Sequence, residues 1–284
     1  MPSISSLKVS IYISTHNRLE KLKRAVNSVL EQDYENIEIL ICDDASTDGT
    51  KEFSEKLSCL DSRVVYLRNE KNQGACATRN LGINHASGYF ITGLDDDDVF
   101  YKDRISFFVT RWSNEYSFLA CNFVNRSPES ETVHYRRKKE KVFSHLDLLF
   151  TNEASNQVFT LTERLRDIGG FDTRARRLQD WDTWLRLSYK YGNFIRYPEI
   201  KYVMYHDHAV NESRVSNSYS FNDALFDMCQ RNKSIYGDVN SVIIEHIIAL
   251  DKGELRLSGL VNWFFISKSP SMIAKFLYAK LLKK

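Results

Sequence analysis

The chain has 284 residues, 39 Lys and Arg against 37 Asp and Glu for a formal net charge of +2, with 43% hydrophobic and 27% charged residues. That composition excludes a disordered or low-complexity chain, and a balance so near neutral gives no support to nucleic acid as a partner. Five cysteines (Cys42, Cys59, Cys76, Cys121, Cys229) are odd in number and lack CxxC pairing, which points to a reducing cytosol and away from a zinc site. No charged-then-apolar leader opens the chain and no run reaches the ~18–20 apolar residues of a membrane span, so a cytoplasmic location is expected.

Residues 9–14 are a short apolar run of strand type. Over 19–32, Leu19, Leu22, Val26, Val29 and Leu30 share one helical face. Residues 37–42 predict a second buried strand that ends in Asp43-Asp44. Ser46 or Thr47 is placed to cap the next helix, with Gly49 easing the turn. Residues 64–67 predict a third strand, 74–86 a helix and 89–94 a fourth strand. Such alternation implies right-handed crossovers and a mainly parallel sheet covered by helices. Ligands collect at the carboxyl ends of those strands. Three polar clusters lie there and are expected to converge: Thr15-His16-Asn17-Arg18, Asp43-Asp44, and Asp95-Asp96-Asp97-Asp98.

The run of four aspartates reads two ways, as a solvated acidic turn or as a cation site. Crowded carboxylates raise one another's pKa, and oxygen ligands suit a hard ion such as Mg2+ or Mn2+ with room left for a phosphate. No GxxxxGK[ST] and no GxGxxG after the first strand is present, which argues against P-loop and dinucleotide sites. A nucleotide held without a glycine-rich cradle needs metal and basic residues, and Arg79 is placed to be one of them.

The second half is less regular. Residues 129–141 are highly charged and include Arg136-Arg137-Lys138-Lys139, read as a solvated loop ahead of a phosphate patch. Gly169-Gly170-Phe171-Asp172 predicts a tight turn, and Asp180-Trp181-Asp182-Thr183-Trp184-Leu185-Arg186-Leu187 opens a helix with carboxylates in its first turn. Residues 200–205 predict a strand leading to His206-Asp207-His208, and 221–250 look helical. In the tail, 260–284, aromatic and apolar residues alternate with lysines at helical spacing, as in a helix on an anionic membrane surface or one docked on the domain.

Together these motifs resemble family 2 glycosyltransferases of the GT-A fold, and among them the enzymes of bacterial surface polysaccharides such as O-antigen and capsule. The likeness rests on Thr15-His16-Asn17-Arg18, the run from Cys42 to Thr50, Asn72-Gln73-Gly74 with Ala77-Thr78-Arg79-Asn80, the aspartates at 95–98, Gly169-Gly170-Phe171-Asp172 and Asp180-Trp181-Asp182-Thr183-Trp184-Leu185-Arg186. It covers roughly residues 8–215 in the family's order. The resemblance implies an α/β GT-A domain over 1–215, its nucleotide-binding half about 1–125 and its acceptor half about 126–215, followed by a helical C-terminal region over 216–284. It implies a UDP-sugar donor held by Thr15, Arg18, Asp43, Asp44, Arg79, Asp95 and Asp96, with Asp44 on the uracil N–H. Mn2+ or Mg2+ would be bound by Asp97, with His208 as a further ligand, and Asp98 would support that shell. Asp180 would be the general base of an inverting transfer of one hexose to a glycan acceptor, such as a polyprenyl-diphosphate-linked oligosaccharide at the inner membrane face. Trp181 and Trp184 read as core, with one open to stacking on a sugar.

Departures are also expected to matter. Ser14-Thr15-His16-Asn17 stands where the family has a Pro-x-Tyr-Asn-type sequence, and Gln179 stands where it commonly has Glu. No Gln-x-x-Arg-Trp motif is present, which argues against a processive synthase. A catalytically inactive nucleotide-sugar-binding module and a nucleotidyltransferase are the alternatives.

Overall fold

The computed structural model describes residues 6–136, 138–207 and 219–254. Its contacts divide the chain into one unit of Met1–Arg174 with Gln179–Glu212 and a second of Ala175–Leu178 with Ser213–Lys284. In the first unit the opening residues alternate as β1 (Val9–Thr15), α1 (Leu19–Leu30), β2 (Ile37–Asp43), α2 (Thr50–Leu60), β3 (Val64–Arg68), α3 (Ala75–His85) and β4 (Phe90–Asp95). β5 (Val99–Phe100), α4 (Arg104–Arg111), β6 (Leu119–Arg126), β7 (Glu131–Val133) and β8 (Lys141–Phe143) follow. After a 3-10 turn at His145–Leu148 come β9 (Phe159–Leu161), α5 (Thr162–Asp167), α6 (Gln179–Tyr191) and β10 (Phe194–Tyr205). The second unit contributes α7 (Phe221–Arg231) and α8 (Lys233–Lys252).

The sheet runs β3-β2-β1-β4-β9-β6-β10-β5, with β7 on β6 and β8 on β10. β1 to β4 pair in parallel, as do β6 and β10. The other pairings, β9 with β4 and β6, β5 and β8 with β10, and β7 with β6, are antiparallel. The sheet is thus parallel through its first half and mixed in its second. Apolar β1 and β2 are buried along nearly their whole length, as strands covered on both faces must be. α1 turns Leu22, Ala25, Val26 and Val29 inward against them. The chain winds from β1 out to β3 and returns to the far side of β1 with β4. That reversal opens a crevice between the carboxyl ends of β1 and β4, where open α/β sheets bind ligands.

The helix start after β2 differs from expectation. Gly49, at φ +89°, is the N-cap residue of α2, while Ser46 Oγ accepts from Asn17 N and Thr47 N donates to Asn17 Oδ1. Asp48 takes over the capping, accepting from Thr50 N at 3.2 Å and from Leu19 N at 2.9 Å. One carboxylate therefore fixes the starts of both α1 and α2.

Candidate active site

β4 delivers its last residue, Asp95, opposite Ser14 of β1, and the chain turns with Asp98 N donating to Asp95 O at 3.0 Å. The turn gives the four aspartates different surroundings. Asp98 is buried and accepts from Tyr202 Oη at 2.7 Å and Tyr205 N at 2.8 Å, which anchors the run to β10. Burial, then the neighbouring Asp97 charge, raises its carboxyl well above the usual range. Asp96 is also buried and accepts from Arg18 Nη1 at 3.1 Å, and burial pushes it up to about 6 although Arg18 opposes the rise. Asp97 shares the same Arg18 nitrogen at 3.3 Å, and burial followed by the Asp95 charge raises its pKa. Asp95 Oδ1 accepts from Arg79 Nη2 at 2.9 Å and from Gln157 Nε2 at 3.1 Å. Asp95 and Asp97 keep 23% and 15% of their side chains exposed against 6% for Asp96, so these two carboxylates are the ones a ligand can reach.

The wall facing them is built by two motifs that pack on each other. Gly170, at φ +65°, leaves no room for a Cβ, which would lie 2.3 Å from Asn80 Oδ1. Asn80 of α3 clamps the turn by accepting from Phe171 N and donating to Phe171 O, both at 2.8 Å. Arg186 of α6 holds the same turn through the carbonyls of Ile168 and Gly170, and pairs with buried Asp182 at 2.8 Å. Phe171 then lies under the Arg79 guanidinium at 5.1 Å. Arg79, itself buried, donates to Gln179 Oε1 at 2.7 Å and reaches Asp180 Oδ1 at 3.7 Å. Burial raises Asp180 to about 7, with Arg79 opposing and Asp95 adding to the rise. Burial works against the Arg79 charge, but Asp180 and Asp95 outweigh it and keep the guanidinium protonated.

At the end of β2, Asp43 is buried. Its fully buried carboxylate accepts from Tyr66 Oη, Arg68 and Ser46 N, so it braces the loop and offers a donor no exposed oxygen. Asp44 accepts from Asn69 Nδ2, Gln73 N and Gly74 N, each at 2.8 Å, which fixes the loop that leads into α3. Its Oδ2 takes only one of these bonds and retains a lone pair. Thr15 is buried at the end of β1 in register with Asp43, and His16 Nδ1 donates to Asp44 O at 2.7 Å. Arg18 is placed on Asp96 and Asp97. Trp181 and Trp184 are both buried, which removes either as a platform for a sugar. His208 and the basic aromatic tail lie outside the described residues.

Gln157 and Tyr202 escaped the sequence reading. Gln157 is buried with its Oε1 accepting from Tyr12 Oη at 3.2 Å and its amide nitrogen on Asp95. Gln157 stands in irregular sequence with no motif around it, and Tyr202 lies inside the strand expected over 200–205 with nothing in its spacing to mark a contact with Asp98. For a divalent cation, no three His, Cys, Asp or Glu side chains form a ready cage among the described residues. The donor set instead suits Mg2+ or Mn2+, which take one or two carboxylates and complete their shell with phosphate and water. Burial and mutual repulsion raise Asp96, Asp97 and Asp98 together, a repulsion that a cation beside Asp97 would relieve.

Residues 10–213 match the family described as glycosyl transferase family 2. A glycosyl transferase named for colanic acid biosynthesis, WcaA of Escherichia coli K12, is 32% identical over 79% of this chain and 81% of its own length. The Escherichia coli UDP-Glc:alpha-D-GlcNAc-diphosphoundecaprenol beta-1,3-glucosyltransferase WfgD is 36% identical over 40% of this chain and 45% of its own. The crystal structure of Staphylococcus aureus TarS 1-349 in complex with UDP-GlcNAc superposes with a TM-score of 0.67 at 18% identity, covering 96% of this chain and 79% of that one, and so shares the GT-A arrangement of sheet and flanking helices. With carboxylates gathered at the strand ends and a family match over residues 10–213, the chain belongs to glycosyl transferase family 2.

Proposed function

We propose that this glycosyltransferase moves one hexose from a UDP-sugar to a hydroxyl of a glycan acceptor, with inversion at the anomeric carbon. The observation that carries the reading is Asp180: a carboxylate in the crevice wall, raised to about 7, whose Oδ1 accepts no hydrogen bond among the described residues. Such a group takes the proton of the acceptor hydroxyl while that oxygen attacks the anomeric carbon, and the bond to UDP breaks with its electron pair leaving on the diphosphate. Asp44 Oδ2 accepts the uracil N–H, and Thr15 and Arg18 border the base and ribose. Asp95 takes a hydroxyl of the ribose or the sugar, with Asp96 supporting it. Arg79 turns its charge toward the diphosphate. Asp97 would hold a divalent cation, which would supply positive charge for the departing diphosphate.

Relatives named for UDP-glucose and undecaprenol-diphosphate-linked acceptors support a UDP-sugar donor and a lipid-linked acceptor. No helix of the described residues is long and apolar enough to cross a membrane. The lysine-rich aromatic sequence of 260–284 supports contact with an anionic lipid surface instead. The test is a screen of UDP-sugars for donor hydrolysis and transfer with Asp180→Asn alongside. Loss of general-base catalysis costs roughly 10²–10⁴-fold in transfer, while UDP affinity stays near wild type. Transfer at the wild-type rate in Asp180→Asn removes Asp180 from the chemistry.

A further inference from the structure

Arg79 is shared by three acceptors at unequal distances. Nη2 donates to Asp95 Oδ1 at 2.9 Å, and Nη1 donates to Gln179 Oε1 at 2.7 Å while standing 3.7 Å from Asp180 Oδ1. The other end of the Arg79–Asp95 pair is also held by an amide, since Gln157 Nε2 donates to the same Asp95 oxygen and Tyr12 Oη fixes the Gln157 side chain. Two neutral amides therefore bracket the ion pair. They hold the guanidinium between them, and Asp180 is left with a buried oxygen that accepts no hydrogen bond among the described residues. A carboxylate in close hydrogen-bonded contact with arginine gives up its affinity for a proton; one kept at a distance retains it.

We propose that Gln179 is a positioning residue whose amide oxygen holds Arg79 off the neighbouring Asp180 and thereby sets the strength of that base. The inference rests on Asp180 being the base. Besides Arg79, the charged and titratable groups that act on Asp180 are Cys76 on α3, Asp95 at the end of β4 and Tyr12 on β1. None of them changes with residue 179, so substitution there isolates the Arg79 contact. A carboxylate at 179 adds negative charge beside Asp180 and draws Arg79 further away, and both effects raise the Asp180 pKa. An apolar side chain of the same length frees Nη1 to close on Asp180, which lowers it.

The experiment is the pH dependence of kcat/KM for transfer, whose acid limb reports the base in the free enzyme, in wild type, Gln179→Glu and Gln179→Met. The limb moves up by about one pH unit in Gln179→Glu and down by a similar amount in Gln179→Met. Gln179→Met also loses rate on the plateau, because a weaker base remains there. Shifts of opposite sign are the signature, since damage to packing alone lowers the rate without moving the limb. A limb unmoved in both variants, or moved in one direction by both, overturns the proposal. If circular dichroism shows Gln179→Glu unfolded, Gln179→Met decides alone, and a limb that stays or rises overturns it. Asp180→Asn measured beside them separates the two failures: transfer surviving there removes the base itself, whereas its loss together with unmoved limbs removes only the role of Gln179.

Discussion

Gly93 lies in β4 two residues before Asp95, and the space its missing side chain leaves is taken by the Tyr12 ring and the Gln157 amide. A Cβ there would lie 2.1 Å from Gln157 Oε1 and 2.5 Å from the Tyr12 ring, and both of those residues are buried. Neither can move away cheaply. Gly93→Ala is expected to cost about 1–3 kcal/mol in stability by overpacking and to push Gln157 off Asp95. Donor KM then rises roughly tenfold, the equivalent of about 1.4 kcal/mol in binding, while kcat at saturating donor changes less. Steady-state kinetics with a thermal melt test this, and a wild-type KM in a destabilised variant would separate Gly93 from the donor site. The same local geometry explains why four adjacent aspartates differ. The turn after β4 aims Asp98 at Tyr202 and Asp96 at Arg18, and leaves Asp95 and Asp97 partly exposed.

At the scale of elements, the parallel half of the sheet is stapled at the end opposite the crevice by Glu38 of β2. Its carboxylate accepts from Ser10 Oγ and Ser87 N at 2.5 Å, from Ser87 Oγ at 2.7 Å and from Gly88 N at 3.1 Å, and pairs with Lys8 at 2.8 Å. Burial alone raises its pKa, but the bonds from Lys8, Ser10 and Ser87 outweigh burial and hold it at about 2 against an ordinary 4.5. A carboxyl depressed on folding contributes stability above its unfolded pKa and loses it as the pH falls through the folded value, so this share disappears between about 4.5 and about 2. Glu38→Gln turns an amide N–H toward donors and is expected to cost about 2–4 kcal/mol, flattening the acid limb of stability while leaving donor KM unchanged. Denaturant titrations from pH 3 to 7 decide it, and an unaltered acid limb would assign that pH dependence to other carboxylates. Glu38 also marks the limit of what the sequence discloses. The strands β1 to β4 and helices α1 and α3 were legible because their apolar periodicity is strong, Asp44, the acidic run and Asp180 because each follows or ends a strand or begins a helix, and Arg79 because its helix leads from the loop after β3 toward β4. β6 carries Asn122 and Asn125 among its apolar residues and β9 has three residues, so neither stands out. Gln157 comes to Asp95 only through the antiparallel pairing of β9 with β4, a non-local contact that no spacing announces.

At the scale of the whole molecule, every described residue assigned to donor and base lies in the first unit. A ligand that binds only the folded state stabilises it by RT ln(1 + [L]/Kd), about 2.7 kcal/mol at a hundredfold excess over Kd. For a chain of this size that corresponds to roughly 5–10 °C in melting temperature. UDP is therefore expected to raise the transition of the unit that holds the crevice, with no transfer needed for the readout. The cation enters through the same linkage. If Asp97 holds a divalent ion against the diphosphate, Mn2+ with UDP raises the transition further than UDP with chelator, and Asp97→Asn loses that increment. If Asp180 is the base that meets the acceptor and not the diphosphate, Asp180→Asn keeps the increment. Two carboxylates within one crevice are thereby separated by calorimetry before an acceptor is identified. A UDP shift that is the same with Mn2+ and with chelator would take the metal out of donor binding and leave Arg79 as the cation that answers the diphosphate.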